Sequence, residues 1–314
     1  MRTKIDFHTT VAAAGLLGFF AISPQSHAVV VYNDGMTPGY QTTAPTGPLA
    51  AAGWQYSGHI GSFVGTPISP KHFITAKHTG AALGTFTYNA VSYTGVSIHD
   101  DPNSDLRIVR IAQTFPTWAP LYTGSSEVGK EAFLVGRGMN VGSQLNVGPN
   151  RAGWLWPAIT FGHPRTWGTN VIDSIKTFDA PYGQTLAFEF NPTAGPTEAT
   201  LTAGDSGGGL FINDGGTWKL AGVHLSNEFV WSLTDGGTRF NASVFDGRGL
   251  YRYDNPPPTY TYIDPGLPDA LGGSSYSTRI SARITWINTV IPEPTSLALL
   301  PAIAIVFGRR SKRV

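Results

Sequence analysis

Glycine and proline interrupt this chain so often, at 38 and 23 of its 314 residues, that few segments can run far as a helix. In a helix interior glycine costs about 1 kcal/mol and proline about 3 kcal/mol relative to alanine. The sequence offers instead short apolar runs closed by turn residues, the mark of many short strands. The plainest case is Gly209-Leu210-Phe211-Ile212 and Trp218-Lys219-Leu220-Ala221-Gly222-Val223 on either side of Asn213-Asp214-Gly215-Gly216, a hairpin signal. An all-β fold of one or two domains is expected. Pro256-Pro257-Pro258 and the Tyr/Pro/Gly-rich stretch after it, to Gly273, read as a long inserted loop.

The chemistry concentrates at Gly204-Asp205-Ser206-Gly207-Gly208-Gly209-Leu210. Glycines around a serine let main-chain N–H groups turn toward a reacting carbonyl oxygen. A serine hydroxyl is a poor nucleophile near neutral pH, so the chain must also supply a base and a group that orients it. His78 follows Phe73-Ile74-Thr75-Ala76, a short buried strand after the Ser69-Pro70 turn, and is the candidate base. Asp105 heads the strand Leu106-Arg107-Ile108-Val109-Arg110-Ile111, where an acid can be shielded from water. Asp100 and Asp101 fall in a Pro/Asn turn and are expected to be solvated. They lack the glycine and terminal glutamate of an EF-hand, so the reading there is a surface acidic turn. His72 and His99 read as a surface and a loop histidine.

Together these segments resemble the trypsin-like, chymotrypsin-fold serine peptidases. Thr75-Ala76-Lys77-His78 resembles the family's T-A-x-H, Asp105-Leu106 its acid segment, and Gly204-Asp205-Ser206-Gly207-Gly208 its G-D-S-G-G, in the family's order. Ser277-Thr278-Arg279-Ile280-Ser281 with Trp286-Ile287 resembles the start of the helix that closes the fold. Ile280, Ile284, Ile287 and Ile291 recur there at helical spacing, with Ser281 as the expected cap. The resemblance spans roughly residues 54–291. It implies two packed antiparallel β-barrels, over about 29–128 and 129–291, with His78 and Asp105 on the first and Ser206 on the second.

It also implies a mechanism in which His78 takes the Ser206 proton, Asp105 holds the imidazole tautomer, and the N–H groups of Gly204 and Ser206 form the oxyanion hole. The position six before the serine, which in this family commonly floors the primary pocket, is Thr200, so no aspartate is there to select basic side chains. The opposite wall falls to Gly222-Val223-His224-Leu225-Ser226. Its G-x-H resembles glutamate-selective relatives; the alternative is a structural histidine on a strand. In many animal relatives a newly cut N-terminus pairs with the aspartate before the serine, here Asp205. Val29-Val30-Val31-Tyr32 could be that terminus or an ordinary edge strand.

The ends of the chain indicate where it works. Arg2 and Lys4 precede an apolar run over 11–22 and then Ser26-His27-Ala28, so residues 1–28 read as a secretory signal for signal peptidase. Pro292-Glu293-Pro294, the apolar run over 297–307 and Arg309-Arg310-Ser311-Lys312-Arg313 resemble a PEP-CTERM sorting tail. That resemblance implies transient anchoring in the inner membrane, processing by an exosortase-type enzyme, and delivery to the surface or extracellular matrix of a Gram-negative-type bacterium. Without these ends, 15 basic residues remain against 18 acidic, and no basic stripe survives to support nucleic-acid binding. No zinc spacing or phosphate-cradling loop appears, so neither metal nor cofactor is expected. The chain has no cysteine, so an exported domain of about 260 residues depends on core packing without disulfide staples.

The function expected is an exported serine endopeptidase acting on protein or peptide. Its rival is an inactive peptidase-fold protein that binds, or helps build, a polysaccharide matrix, with Trp154 and Trp156 as a stacking surface or as core residues.

Overall fold

The computed structural model describes residues 29–254 and 258–291. The expected signal (1–28), the sorting tail (292–314) and Pro256-Pro257 lie outside the described residues. After β1 (Val30–Val31) come six strands: β2 (Gly58–Ile60), β3 (Phe63–Ser69), β4 (His72–Ala76), β5 (Thr85–Tyr88), β6 (Val91–Asp100) and β7 (Leu106–Ile111). They close a barrel in the order β2-β3-β4-β7-β6-β5. Phe73, Phe86, Tyr88, Tyr93 and Phe115 fill its interior. Phe73 and Phe86 stack with centroids 4.0 Å apart, a contact of about 1 kcal/mol beyond simple burial.

The rest of the chain adds β8 (Glu131–Gly136), β9 (Gln144–Val147), β10 (Asn150–Leu155), β11 (Thr166–Val171), β12 (Ser174–Phe178), β13 (Gly183–Glu189) and β14 (Ala199–Thr200). It continues with β15 (Gly209–Asp214), β16 (Thr217–Asn227), β17 (Val230–Ser232), β18 (Arg239–Val244), β19 (Tyr251–Asp254), β20 (Thr259–Tyr262) and β21 (Ser274–Arg279). Seven of these strands form one sheet in the order β11-β8-β15-β16-β21-β13-β12. Where a closed barrel would continue the ladder, Asn170 of β11 instead donates its side-chain amide to the Glu189 carbonyl of β13 and the Ala199 carbonyl of β14, each at 2.8 Å. The hairpin forms as expected between β15 and β16, around Gly215 and Gly216 with φ of 61° and 86°.

A second sheet, β20-β19-β17-β18-β10-β9, packs Trp231 within it, while Trp154 of β10 is fully buried beside Phe190 and Phe245. Trp154 is thus a core residue, and Trp156 stacks on Phe229 at 4.8 Å. Part of the expected insertion loop is strand β20, because Tyr260 and Tyr262 alternate across from Tyr253 and Tyr251 and pair with them.

The chain closes with a 3₁₀ turn over Ser281–Arg283 and α1 (Ile284–Val290), which buries Ile287. Ser281 does not cap it. Its hydroxyl donates to Glu127, which Arg279 also grips with Nε and Nη2 at 2.8 Å each. Asp101, expected in solvent, is fully buried and takes two bonds from Arg283, at 2.5 and 2.6 Å. It locks the C-terminal segment to the closed barrel.

Candidate active site

The ladder between β4 and β7 pairs Ala76 with Leu106. His78 lies two residues past one end of that pair and Asp105 one residue before the other, so the register alone brings them together. Two backbone bonds fix the corner: the Lys77 N–H donates to the Asp105 carbonyl at 2.7 Å and the His78 N–H to Asp105 Oδ1 at 2.9 Å. Asp105 Oδ2 then lies 2.5 Å from His78 Nδ1. The carboxylate is 2% exposed and the imidazole 37%, so one is shielded while the other reaches solvent.

The serine arrives from the other half. Its turn docks on the barrel through Gly207, where a Cβ would lie 2.3 Å from both Thr75 Oγ1 and the Val64 carbonyl at φ 82°, so only glycine permits this approach. The Val64 N–H in turn donates to the Ser206 carbonyl at 3.4 Å. Ser206 Oγ ends 2.7 Å from His78 Nε2. A carboxylate, an imidazole and a hydroxyl thus form one hydrogen-bonded chain, an arrangement in which the ring can accept the hydroxyl proton.

Asp205 organises the turn. It accepts from the N–H groups of Thr202 (2.7 Å), Gly138 (2.7 Å) and Val29 (3.3 Å), and from the Thr202 hydroxyl (3.2 Å). Gly138 is obligatory, since a Cβ there would fall 2.1 Å from Thr202 Oγ1 and 2.5 Å from Asp205 Oδ2. Burial pushes the Asp205 carboxyl up to about 6 although these N–H bonds pull it down. No described cation pairs with it. With the turn held this way, the N–H groups of Gly204 and Ser206 have no acceptor among the described residues, as donors to a developing oxyanion require.

The three pocket residues all lie against β21 and differ in exposure. Ser226 is exposed, Thr200 is buried with its hydroxyl 3.0 Å from that of Ser275, and His224 is fully buried with Nδ1 2.9 Å from Ser277 Oγ. Burial lowers the His224 pKa to about 3, so the ring is neutral. Its Nε2 is buried without a side-chain partner among the described residues. His72 and His99, meanwhile, lie on β4 and β6. Arg137 and Arg165, two half-buried cations without any sequence motif, line a cleft with Ser57 and His59, and the Arg137 carbonyl packs against Gly204 of the nucleophile turn.

No protein-family model matches the chain. It is similar to the serine protease EatA of Escherichia coli O78:H11 (strain H10407 / ETEC), with 30% identity over 171 residues. That stretch is 50% of this chain but only 12% of the relative's length. Among solved structures it is similar to neuropsin, a serine protease expressed in the limbic system of mouse brain, with 13% identity, a TM-score of 0.48, and coverage of 80% of this chain and 98% of that one. It is also similar to the inactive form of the Rv3671c protease, with 14% identity, a TM-score of 0.44, and coverage of 80% and 95%. All three relatives carry the name protease.

Proposed function

We propose that this chain is an exported serine endopeptidase. The observation that carries the reading is the unbroken chain from Asp105 through His78 to Ser206, two contacts of 2.5 and 2.7 Å between residues 27 and 128 positions apart. Ser206 Oγ attacks the peptide carbonyl as His78 Nε2 takes its proton, and Asp105 stabilises the imidazolium. The N–H groups of Gly204 and Ser206 receive the oxyanion. His78 then hands the proton to the departing amine, leaving an acyl-enzyme. Water, deprotonated by the same ring, releases the acyl group and restores Ser206.

Export and surface sorting rest on the two ends read from the sequence. Cleavage after Ala28 would turn the Val29 nitrogen, already 3.3 Å from Asp205 Oδ1, into an ammonium and give that carboxylate its missing countercharge. Tail processing is tested by mass spectrometry of the secreted protein, where intact peptides from 309–314 would contradict it. The chemistry is tested with a fluorophosphonate probe. The parent enzyme should label at Ser206 and cleave casein, and Ser206→Ala should do neither while melting at the parent's temperature. An Ala variant that cleaved casein at the parent rate would sink the assignment.

A further inference from the structure

Beside the nucleophile turn lies a cleft of about 360 Å³ whose lining includes Ser57, His59, Thr87, Asn89, Arg137 and Arg165. Its two guanidiniums are half-buried, and neither pairs with a carboxylate among the described residues. Arg165 lies 3.7 Å above the Trp54 ring and donates from Nη1 to the carbonyls of Trp54 and Ser57. Arg137 donates to the carbonyls of His163 and Gly162. Both have their pKa lowered by burial, and Arg165 also by repulsion from Arg137. Ser57 Oγ, at the cleft wall, is buried without a hydrogen-bond partner. Half-buried cations held by neutral carbonyls, with a spare hydroxyl beside them, make a site for an anion. The working domain is mildly acidic overall, so its general field does not account for this local excess.

Two of its walls continue into the site described above. Arg137 precedes Gly138, whose N–H bonds Asp205, and its carbonyl packs against Gly204, 3.2 Å from where a Cβ there would sit. His59 pairs across the β2–β3 ladder with Val64, whose N–H bonds the Ser206 carbonyl. Phe161 also packs on the turn, 3.2 Å from where a Cβ on Gly204 would sit, and meets Phe63 of β3 with centroids 5.7 Å apart. In the proposed peptidase reaction, on which this inference rests, the amine leaves toward His78 and hence toward the barrel strands. A leaving segment that follows β3 from Val64 toward His59 reaches the cleft.

We infer that this cleft binds a carboxylate carried by the leaving-group side of the peptide substrate, an acidic side chain or the chain terminus. The test uses quenched peptides with Glu or Gln at each of the first three leaving-side positions, and a second pair ending in a carboxylate or an amide. A nitrophenyl ester with no leaving-side residue reports the triad separately. The parent enzyme should favour Glu over Gln about tenfold at one position, the size of a charge-assisted bond, and the preference should shrink as salt rises. Arg165→Gln and Arg137→Gln should each bring that ratio close to one; if a variant fails to fold, the salt dependence of the parent decides. A preference confined to the carboxylate-ended peptides names the terminus as the ligand. Ester hydrolysis with equal cleavage of every pair overturns the cleft assignment alone. A preference that survives both substitutions overturns it too. Failure on the ester overturns the peptidase reading and the cleft with it.

Discussion

On the barrel side of the site, the pairing of Ala76 with Leu106 sets His78 against Asp105, and the backbone of Lys77 and His78 reinforces the corner. On the nucleophile side no ladder holds Ser206. Its turn has backbone bonds at its edges, from Gly207 to His224 and from Val64 to Ser206, but is gathered on one buried carboxylate, Asp205, which collects N–H groups from three separated segments. A ladder shares its load among many bonds, so removing one side chain leaves the backbone in place. A turn gathered on one group loses its shape when that group goes. Substitution at Asp105 and at Asp205 should therefore fail in different ways.

Of the two aspartates, Asp105→Asn is expected to have the larger effect on turnover. An amide can still accept from the His78 N–H, but its NH₂ cannot accept from Nδ1, so the imidazole is held in the wrong tautomer. In the serine-protease template such an exchange lowers kcat about 10⁴-fold. Because the ladder is untouched, melting temperature should stay within about 3 °C of the parent, as expected for a loss below about 1 kcal/mol. A large drop in melting temperature would mean that Asp105 and not the register builds the corner.

Asp205→Ala is expected to cost less in rate and more in stability. Opening the turn misplaces the Gly204 and Ser206 donors, which typically costs about 10²- to 10³-fold in kcat. It also leaves the buried N–H groups of Thr202 and Gly138 without an acceptor, at about 1–3 kcal/mol each. Kinetics with thermal denaturation on the same preparation checks both. If the variant kept its full melting temperature, Asp205 would not be the group that holds the turn.

The contrast also explains what could be read from sequence. Both barrel-side residues sit at the ends of short apolar strands, and the Gly-rich serine turn is contiguous, so each was visible locally. Hairpin Asn213-Asp214-Gly215-Gly216 was visible for the same reason. Asp101 was not: its turn-like surroundings suggest solvent, and its partner Arg283 lies 182 positions away. Ser281 likewise looks like a helix cap until Glu127, 154 positions earlier, takes its hydroxyl. Arg137 and Arg165 carry no motif, and their pairing across the cleft comes from strands that meet only in the fold. His224 stands out in sequence by its G-x-H setting, but its full burial comes only from the fold.

The smallest effect on turnover should come from Arg283→Ala, on the barrel side but away from the ladder. Removing the guanidinium leaves Asp101 buried and unpaired, a change that costs about 3–5 kcal/mol when a buried pair loses one partner. For a domain of this size that corresponds to a fall of about 10 °C in melting temperature, with kcat at 25 °C within about threefold of the parent. The pH dependence separates the ion pair from lost packing. Burial raises the Asp101 pKa, but bonds from Arg283, Ser104 and the Asn103 N–H outweigh it and hold the carboxyl below its ordinary value. A depressed carboxylate contributes stability above its unfolded pKa of about 3.9 and loses it as pH falls through the folded value. The gap in melting temperature between parent and variant should therefore be full near pH 7 and narrow on acidification below about pH 4. A gap that stayed constant down to that pH would assign the loss to the packing of the arginine stem, leaving the barrel side tied to its helix by shape and not by charge.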